Sequence, residues 1–137
     1  MAFITILNTN YQLQTTKAFS MKKIAINGFG RIGRAALKII METPELEVVA
    51  INDLMSIENA SYLLKYDSVY GKYREEVAVE DSYLRVGAKR ISFISERDPG
   101  SLPWKDLNVD VVIESTGFFT KREDAEKHIH SGAKTVV

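Results

Sequence analysis

Asn27-Gly28-Phe29-Gly30-Arg31-Ile32-Gly33-Arg34 decides how the whole chain is read. The apolar run Ile24-Ala25-Ile26 precedes it, and apolar residues at helical spacing follow. A strand that ends in a glycine turn and re-enters a helix points unpaired backbone N–H groups outward, along with the positive end of the helix dipole. Such a turn holds a phosphate. Gly28 permits the tight turn, Gly30 lets the backbone approach a pyrophosphate, and Gly33 lets the helix lie close to the strand. Alone the spacing is a weak signal, because eight glycines in 137 residues will sometimes meet it by accident. The surrounding sequence gives it weight.

Lys22 to Asn27 reads as a strand apolar enough to be buried on both faces of a parallel sheet. Ile32, Ala35, Ala36, Ile39 and Ile40 recur at helical spacing, and that helix is expected to stop near Thr43, ahead of Pro44. Leu46 to Ile51 reads as the next strand. Strand, helix and strand within about 30 residues form a βαβ unit with the glycine turn at its first corner. Asp53 then falls twenty residues after Gly33, at the end of the second strand. In a dinucleotide site an acid here accepts hydrogen bonds from the adenosine ribose hydroxyls and repels a 2′-phosphate, so Asp53 favours NAD over NADP.

Beyond this unit the signals are shorter. Ser56 is placed to cap a helix carrying Ile57, Ala60, Leu63 and Leu64. Tyr62, Tyr66, Tyr70 and Tyr73 follow at intervals of three or four, a spacing that suits packing, and receive no role. Glu75–Glu80, Tyr83–Val86 and Arg90–Ser95 have strand character with turns between them, suggesting a small antiparallel meander inserted into the parallel fold. Asp110 to Glu114 is another strand suited to full burial, ending in Ser115-Thr116-Gly117. Thr120 to Glu123 has the pattern of a capping box opening a helix with Ala125 and Ile129 inward, and Gly132 is placed to end it. His128 and His130 are two apart and point to different sides of that helix, so they read as surface or boundary residues, not a metal pair. Ala133 to Val137 begins a further strand, and Val137 reads as a truncation point.

Composition sets the outer bounds. The length suits one domain with a sizeable core, and 45% apolar with 26% charged residues is ordinary for a globular protein. Lys plus Arg equals Asp plus Glu, 18 against 18, which removes the electrostatic case for strong nucleic-acid or acidic-membrane binding. No apolar run is long enough to suggest a membrane span. With no cysteine, the chain has neither disulfides nor a thiol nucleophile. Residues 1–20 contain no acid, no glycine and one lysine. They read as an unstructured leader, or as translated upstream sequence with the natural start at Met21. Organelle targeting is the other reading, weakened by the lack of arginine. Residues 21–137 then form the nucleotide-binding domain, incomplete at its C-terminal end.

Lys23 to Arg34 resembles the opening of the glyceraldehyde-3-phosphate dehydrogenase family. The resemblance continues through Ile51-Asn52-Asp53, Leu64 to Gly71, Ser95 to Pro99, Leu102-Pro103-Trp104, Val111 to Thr120 and Gly132-Ala133-Lys134, covering Met21 to Val137 in order. It implies an α/β fold, a Rossmann-type doubly wound and mostly parallel sheet with a small antiparallel insertion, and NAD as cofactor. By the family's motif Gly28, Gly30, Arg31 and Ile32 meet the pyrophosphate, Ile32 through its backbone N–H. Asp53 matches the ribose-binding acid and Arg97 a position beside the adenine. Thr116, Gly117 and Phe119, with Ser115, lie in a strand-end loop closing over the cofactor, and Asn27, Phe29 and Gly33 complete the cofactor-binding set. In the full enzyme a cysteine thiol attacks glyceraldehyde 3-phosphate, a histidine acts as base, hydride passes to NAD and phosphate cleaves the thioester. The resemblance therefore implies a cytoplasmic, homotetrameric enzyme of glycolysis, with no nucleic acid, membrane or metal, and no catalytic residue within this chain. The competing reading is a free-standing nucleotide-binding module without dehydrogenase activity, separable by whether the reading frame continues past Val137. A third, RNA binding through the glycine-turn groove, is disfavoured by the zero net charge.

Overall fold

A computed structural model describes residues 4–5, 14–15, 20–67 and 71–137. Ile4–Thr5 pairs antiparallel with Gln14–Thr15. The rest of the proposed leader up to residue 19, and Ser68, Val69 and Tyr70 of the resemblance, lie outside the described residues.

The βαβ unit forms as the periodicity predicts. Strand β1 (Lys22–Asn27) leads through the glycine turn into α1 (Arg31–Met41), and β2 (Leu46–Asn52) returns parallel to β1. Helix α2 (Ile57–Lys65) follows, its N-terminus capped by the Ser56 hydroxyl accepting from the Asn59 N–H at 3.1 Å. A short antiparallel pair, Tyr66–Asp67 with Gly71–Lys72, separates α2 from β3 (Val77–Glu80), β4 (Tyr83–Val86) and β5 (Lys89–Ile94). Strand β6 (Val111–Glu114), helix α3 (Arg122–His130) and strand β7 (Thr135–Val136) complete the order. The seven strands make one sheet in the order β7-β6-β1-β2-β5-β4-β3.

The antiparallel meander forms as expected, β3 pairing with β4 and β4 with β5. Its last strand, β5, also lies parallel to β2 and so joins the meander to the parallel set. Ser92 and Phe93 pair with Ala50 and Ile51 on one side, while Tyr83 to Val86 occupy the other, so β5 is an interior strand. A run that pairs on both edges cannot be told from a hairpin strand by alternation alone.

Each face of the sheet carries its own core. Ile24, Ile26, Val48 and Ile51 pack against Leu37 and Ile40 of α1 and Ala60 and Leu64 of α2. Ala25, Ala50 and Val112 point the other way, toward Trp104, Val109 and Ala133. Helices on both faces of a mostly parallel sheet make the fold doubly wound and Rossmann-type. β1 and β6 run parallel, but the order in which strands join the sheet reverses between them, and the crevice at their carboxyl ends is where such sheets bind ligands.

The helices depart from the sequence reading in three places. The inward face of α1 is Gly33, Leu37 and Ile40, whereas Ile32 and Ile39 are 71% and 66% exposed. The 3.6-residue period admits two adjacent stripes here, and close contact through Gly33 selects the one that contains it. Helix α3 has Lys121 at its N-cap without a side-chain cap, so the expected Thr120–Glu123 capping box does not form. Ile129 is exposed, and the fully buried residue of α3 is His128. His128, expected at the surface or boundary, is a core residue because Trp104 and Glu114 supply it with partners. Gly132 does end the helix, at φ 115°. Tyr62 and Tyr66 pack ring against ring at 5.1 Å on the outside of α2, while Tyr73 packs on the core.

Candidate functional site

The glycine turn is fastened on both sides. Gly28 N–H donates to the Asn52 carbonyl of β2 at 2.8 Å, and the Ser115 hydroxyl beyond β6 donates to the Gly28 carbonyl at 2.7 Å. Gly28 sits at φ 98°, and a Cβ there would lie 2.6 Å from the Thr116 backbone nitrogen. Around Gly30 a Cβ would meet nothing within 4 Å, so the turn is open toward solvent at that residue. Among the described residues no side chain caps the N-terminus of α1, and its first turn holds no acid. Its leading N–H groups lack intrahelical acceptors and suit an anion.

Beside this turn lies a cavity of about 460 Å³. It gathers Asn27, Gly28, Gly30, Asp53, Arg97, Ser115, Thr116 and Phe119 of the candidate set onto one wall or another. Phe29 and Gly33 are buried beneath it, Arg31 and Ile32 stand exposed in the first turn of α1, and Gly117 is exposed in the loop after β6. Asn52, Leu54, Met55, Glu96 and Phe118 line the cavity without having been singled out. Asp53 is tied at both oxygens: Oδ2 accepts the Phe29 N–H at 2.7 Å and Oδ1 the Met55 N–H at 2.9 Å. A carboxylate has about four lone-pair sites, so two remain for a ligand's hydroxyls.

The last residues of three adjacent strands form a polar rank, of which Asn27 and Asn52 line the cavity. Glu114 pairs in register with Asn27, and Asn27 with Asn52. A bulge at Ile24/Ala25 brings Asn52, and not Ile51, opposite Asn27. Asn27 Nδ2 donates to Glu114 Oε1 at 2.6 Å, and Asn52 Nδ2 donates to Asn27 Oδ1 at 2.7 Å. Asn52 also grips the Glu96 peptide, accepting from its N–H and donating to its carbonyl, both at 2.8 Å. That contact sets the start of the loop carrying Arg97. A signal for the rank was present in the sequence, since each of three apolar strands closes on a polar residue.

Burial pushes the Glu114 carboxyl up, but hydrogen bonds from His128, Asn27 and Thr116 outweigh it and hold the group below its ordinary value. A depressed folded value stabilises the fold above the unfolded pKa, and this is lost as pH falls through the folded pKa. The urea midpoint is therefore expected to drop through the carboxylate range, with a smaller drop in Glu114→Gln. Parallel pH curves for the two proteins would remove Glu114 from the acid response.

The chain matches a sequence model of the family described as "Glyceraldehyde 3-phosphate dehydrogenase, NAD binding domain" over residues 22–122. It is 55% identical over 117 residues to glyceraldehyde-3-phosphate dehydrogenase of Clostridium acetobutylicum, covering 85% of this chain and 35% of that protein. It is similarly 54% identical over 116 residues to the enzyme of Chlamydia pneumoniae, covering 84% and 35%. Identity to glyceraldehyde-3-phosphate dehydrogenase 1 of Kluyveromyces marxianus is 49% over 118 residues, covering 85% and 36%. The chain thus spans about a third of the length of the curated relatives it matches.

Proposed function

The chain belongs to the glyceraldehyde-3-phosphate dehydrogenase family through its NAD binding domain, and on that premise we propose that its cavity holds NAD for phosphorylating oxidation of glyceraldehyde 3-phosphate. One coincidence carries the reading: an open glycine turn before an uncapped helix N-terminus shares a single cavity with the Asp53 carboxylate. The first part suits a pyrophosphate and the second a ribose. These residues fit the dinucleotide, since nothing crowds Gly30 and Asp53 retains acceptor capacity.

In this reading the first-turn N–H groups of α1, Arg31 and Ile32 among them, take the pyrophosphate. Asp53 accepts from the adenosine ribose, Arg97 borders the adenine, and the loop from Ser115 to Phe119 closes the other side. NAD, when bound, supplies the hydride acceptor. The chain's own residues bind and orient. They also keep their acceptors and donors fixed before the ligand arrives, as the bonds to Asp53, Asn27 and Asn52 illustrate. Thiol attack on the aldehyde needs a cysteine, and none of the 137 residues is one. We assign this chain the cofactor-holding part of the reaction. Aldehyde, phosphate and a homotetrameric assembly belong to the whole dehydrogenase, whose place in glycolysis carries a cytoplasmic location with it. No described helix is long and apolar enough to cross a membrane.

Titration calorimetry of the purified chain is expected to show NAD binding tighter than NADP binding. A parallel assay with the aldehyde and phosphate is expected to show no growth of NADH absorbance. Absence of NAD binding by a folded sample would overturn the cofactor reading, and phosphate-dependent turnover would overturn the division of labour.

A further inference from the structure

Behind the cavity floor the polar rank continues into the core. Trp104 Nε1–H donates to His128 Nδ1 at 2.9 Å, and His128 Nε2 lies 2.8 Å from Glu114 Oε1. An indole N–H can only donate, so Nδ1 is the acceptor and the ring proton is assigned to Nε2 by its partner. The imidazole is thereby locked in one tautomer and one orientation, with Trp104 and His128 both fully buried. Its Nε2–H donates to the carboxylate.

The carboxylate passes this constraint to the binding surface. Oε1 is held from behind by His128 and Asn27, which leaves Oε2 facing the loop after β6. There Oε2 accepts the Thr116 N–H at 3.0 Å and the Thr116 hydroxyl at 2.7 Å, and Thr116 Oγ1 accepts the Phe118 N–H at 3.1 Å. The Thr116 backbone in turn lies against Gly28, closely enough that a Cβ there would sit 2.6 Å from its nitrogen. Turning the carboxylate would move the loop, and moving the loop would reshape the glycine turn.

We propose that His128 is a positioning residue for nucleotide binding: by fixing the Glu114 carboxylate it holds Thr116, and with it the Ser115–Thr116–Gly117 loop, in the shape that admits the dinucleotide. The inference rests on the cavity being the NAD site. His128 does not line the cavity; it acts through two hydrogen-bonded links, His128 to Glu114 and Glu114 to Thr116.

The test compares NAD affinity by calorimetry in the parent, His128→Leu, His128→Gln and Val109→Ala. Leucine removes the donor. Glutamine keeps an N–H for Glu114 and an oxygen for Trp104. Val109→Ala loosens the same core without touching the polar chain and serves as a control for lost stability. The expected result is about a tenfold loss of NAD affinity in His128→Leu, recovery to within about threefold in His128→Gln, and parent-like affinity in Val109→Ala. Amide hydrogen exchange without ligand should show Thr116 and Phe118 exchanging about tenfold faster in His128→Leu alone. Should the leucine variant not fold, Trp104→Phe carries the test. It unlocks the ring without removing it and is expected to weaken NAD binding more than Val109→Ala does. Equal affinities in the parent and His128→Leu, or in Trp104→Phe and Val109→Ala when that pair carries the test, would overturn the proposal alone. A folded parent that does not bind NAD would overturn the cofactor reading and this proposal with it.

Discussion

A Gly33→Ala chain is expected to melt about 10 °C below the parent, while Gly30→Ala melts close to it. The two glycines belong to one motif, yet their surroundings differ completely. A Cβ at Gly33 would sit 2.1 Å from the Gly28 carbonyl oxygen, and 3.1 Å from both Ile26 Cγ2 and Ser115 Oγ. The nearest neighbour is backbone, so no rotamer change relieves the clash, and α1 must lift from β1. Overpacking of this kind costs about 1–3 kcal/mol and more where backbone must move. The gain from replacing a helical glycine, about 1 kcal/mol, offsets part of that. A clash with backbone at this distance puts the cost above that range, at about 4 kcal/mol, which leaves a net loss of about 3 kcal/mol, or roughly 10 °C in a domain of this size. Gly30, at φ −75° and with open space around it, tolerates a methyl group in the fold. There the added carbon would occupy the room proposed for the pyrophosphate, so Gly30→Ala should lose NAD affinity with its melting temperature kept. Thermal scans with calorimetry on the two variants separate packing from binding. A Gly33→Ala chain that melts with the parent would mean that α1 does not dock on β1 this closely.

How much of this was legible beforehand follows from the range of the forces involved. The βαβ unit was readable because alternation and 3.6-residue spacing are local, and the position of Asp53 beside the glycine turn because its distance from Gly33 is counted along the chain. The pairing of β5 with β4 is local and was readable too, but its pairing with β2 was not, since β2 lies some 40 residues earlier and nothing in Ile91-Ser92-Phe93 names it. His128 was misread for a related reason. Within α3 it is one polar residue on a polar helix, and only the fold brings Trp104 to one ring nitrogen and Glu114 to the other. The rank of Glu114, Asn27 and Asn52 stood half visible. Polar ends on three strands could be seen, but their alignment depends on a bulge that no residue type announces. Exposure of Ile32 and Ile39 was hidden by the opposite problem, because α1 offers two apolar stripes and the choice between them is made at Gly33.

Replacing Asp53 by alanine is expected to weaken NAD binding by about ten- to a hundredfold and to narrow the preference for NAD over NADP. Hydrogen bonds to a charged group contribute about 1.5–3 kcal/mol each, and each 1.36 kcal/mol is a factor of ten at 25 °C. The structure adds a second route to the same loss, because Asp53 also holds the Phe29 N–H of the glycine turn and the Met55 N–H beyond β2. These routes differ in what they do to the two cofactors. A loosened turn would degrade the pyrophosphate site, which NAD and NADP share, and lower both affinities by one factor. Loss of the ribose acceptor and of its negative charge would fall on NAD while relieving repulsion of the 2′-phosphate. Calorimetry of both cofactors against the parent and Asp53→Ala therefore reads the two contributions separately. A falling NAD-to-NADP affinity ratio assigns Asp53 to the ribose. An unchanged ratio with both affinities lowered would leave it as an anchor of the turn and nothing more, and the preference for NAD would then need another source.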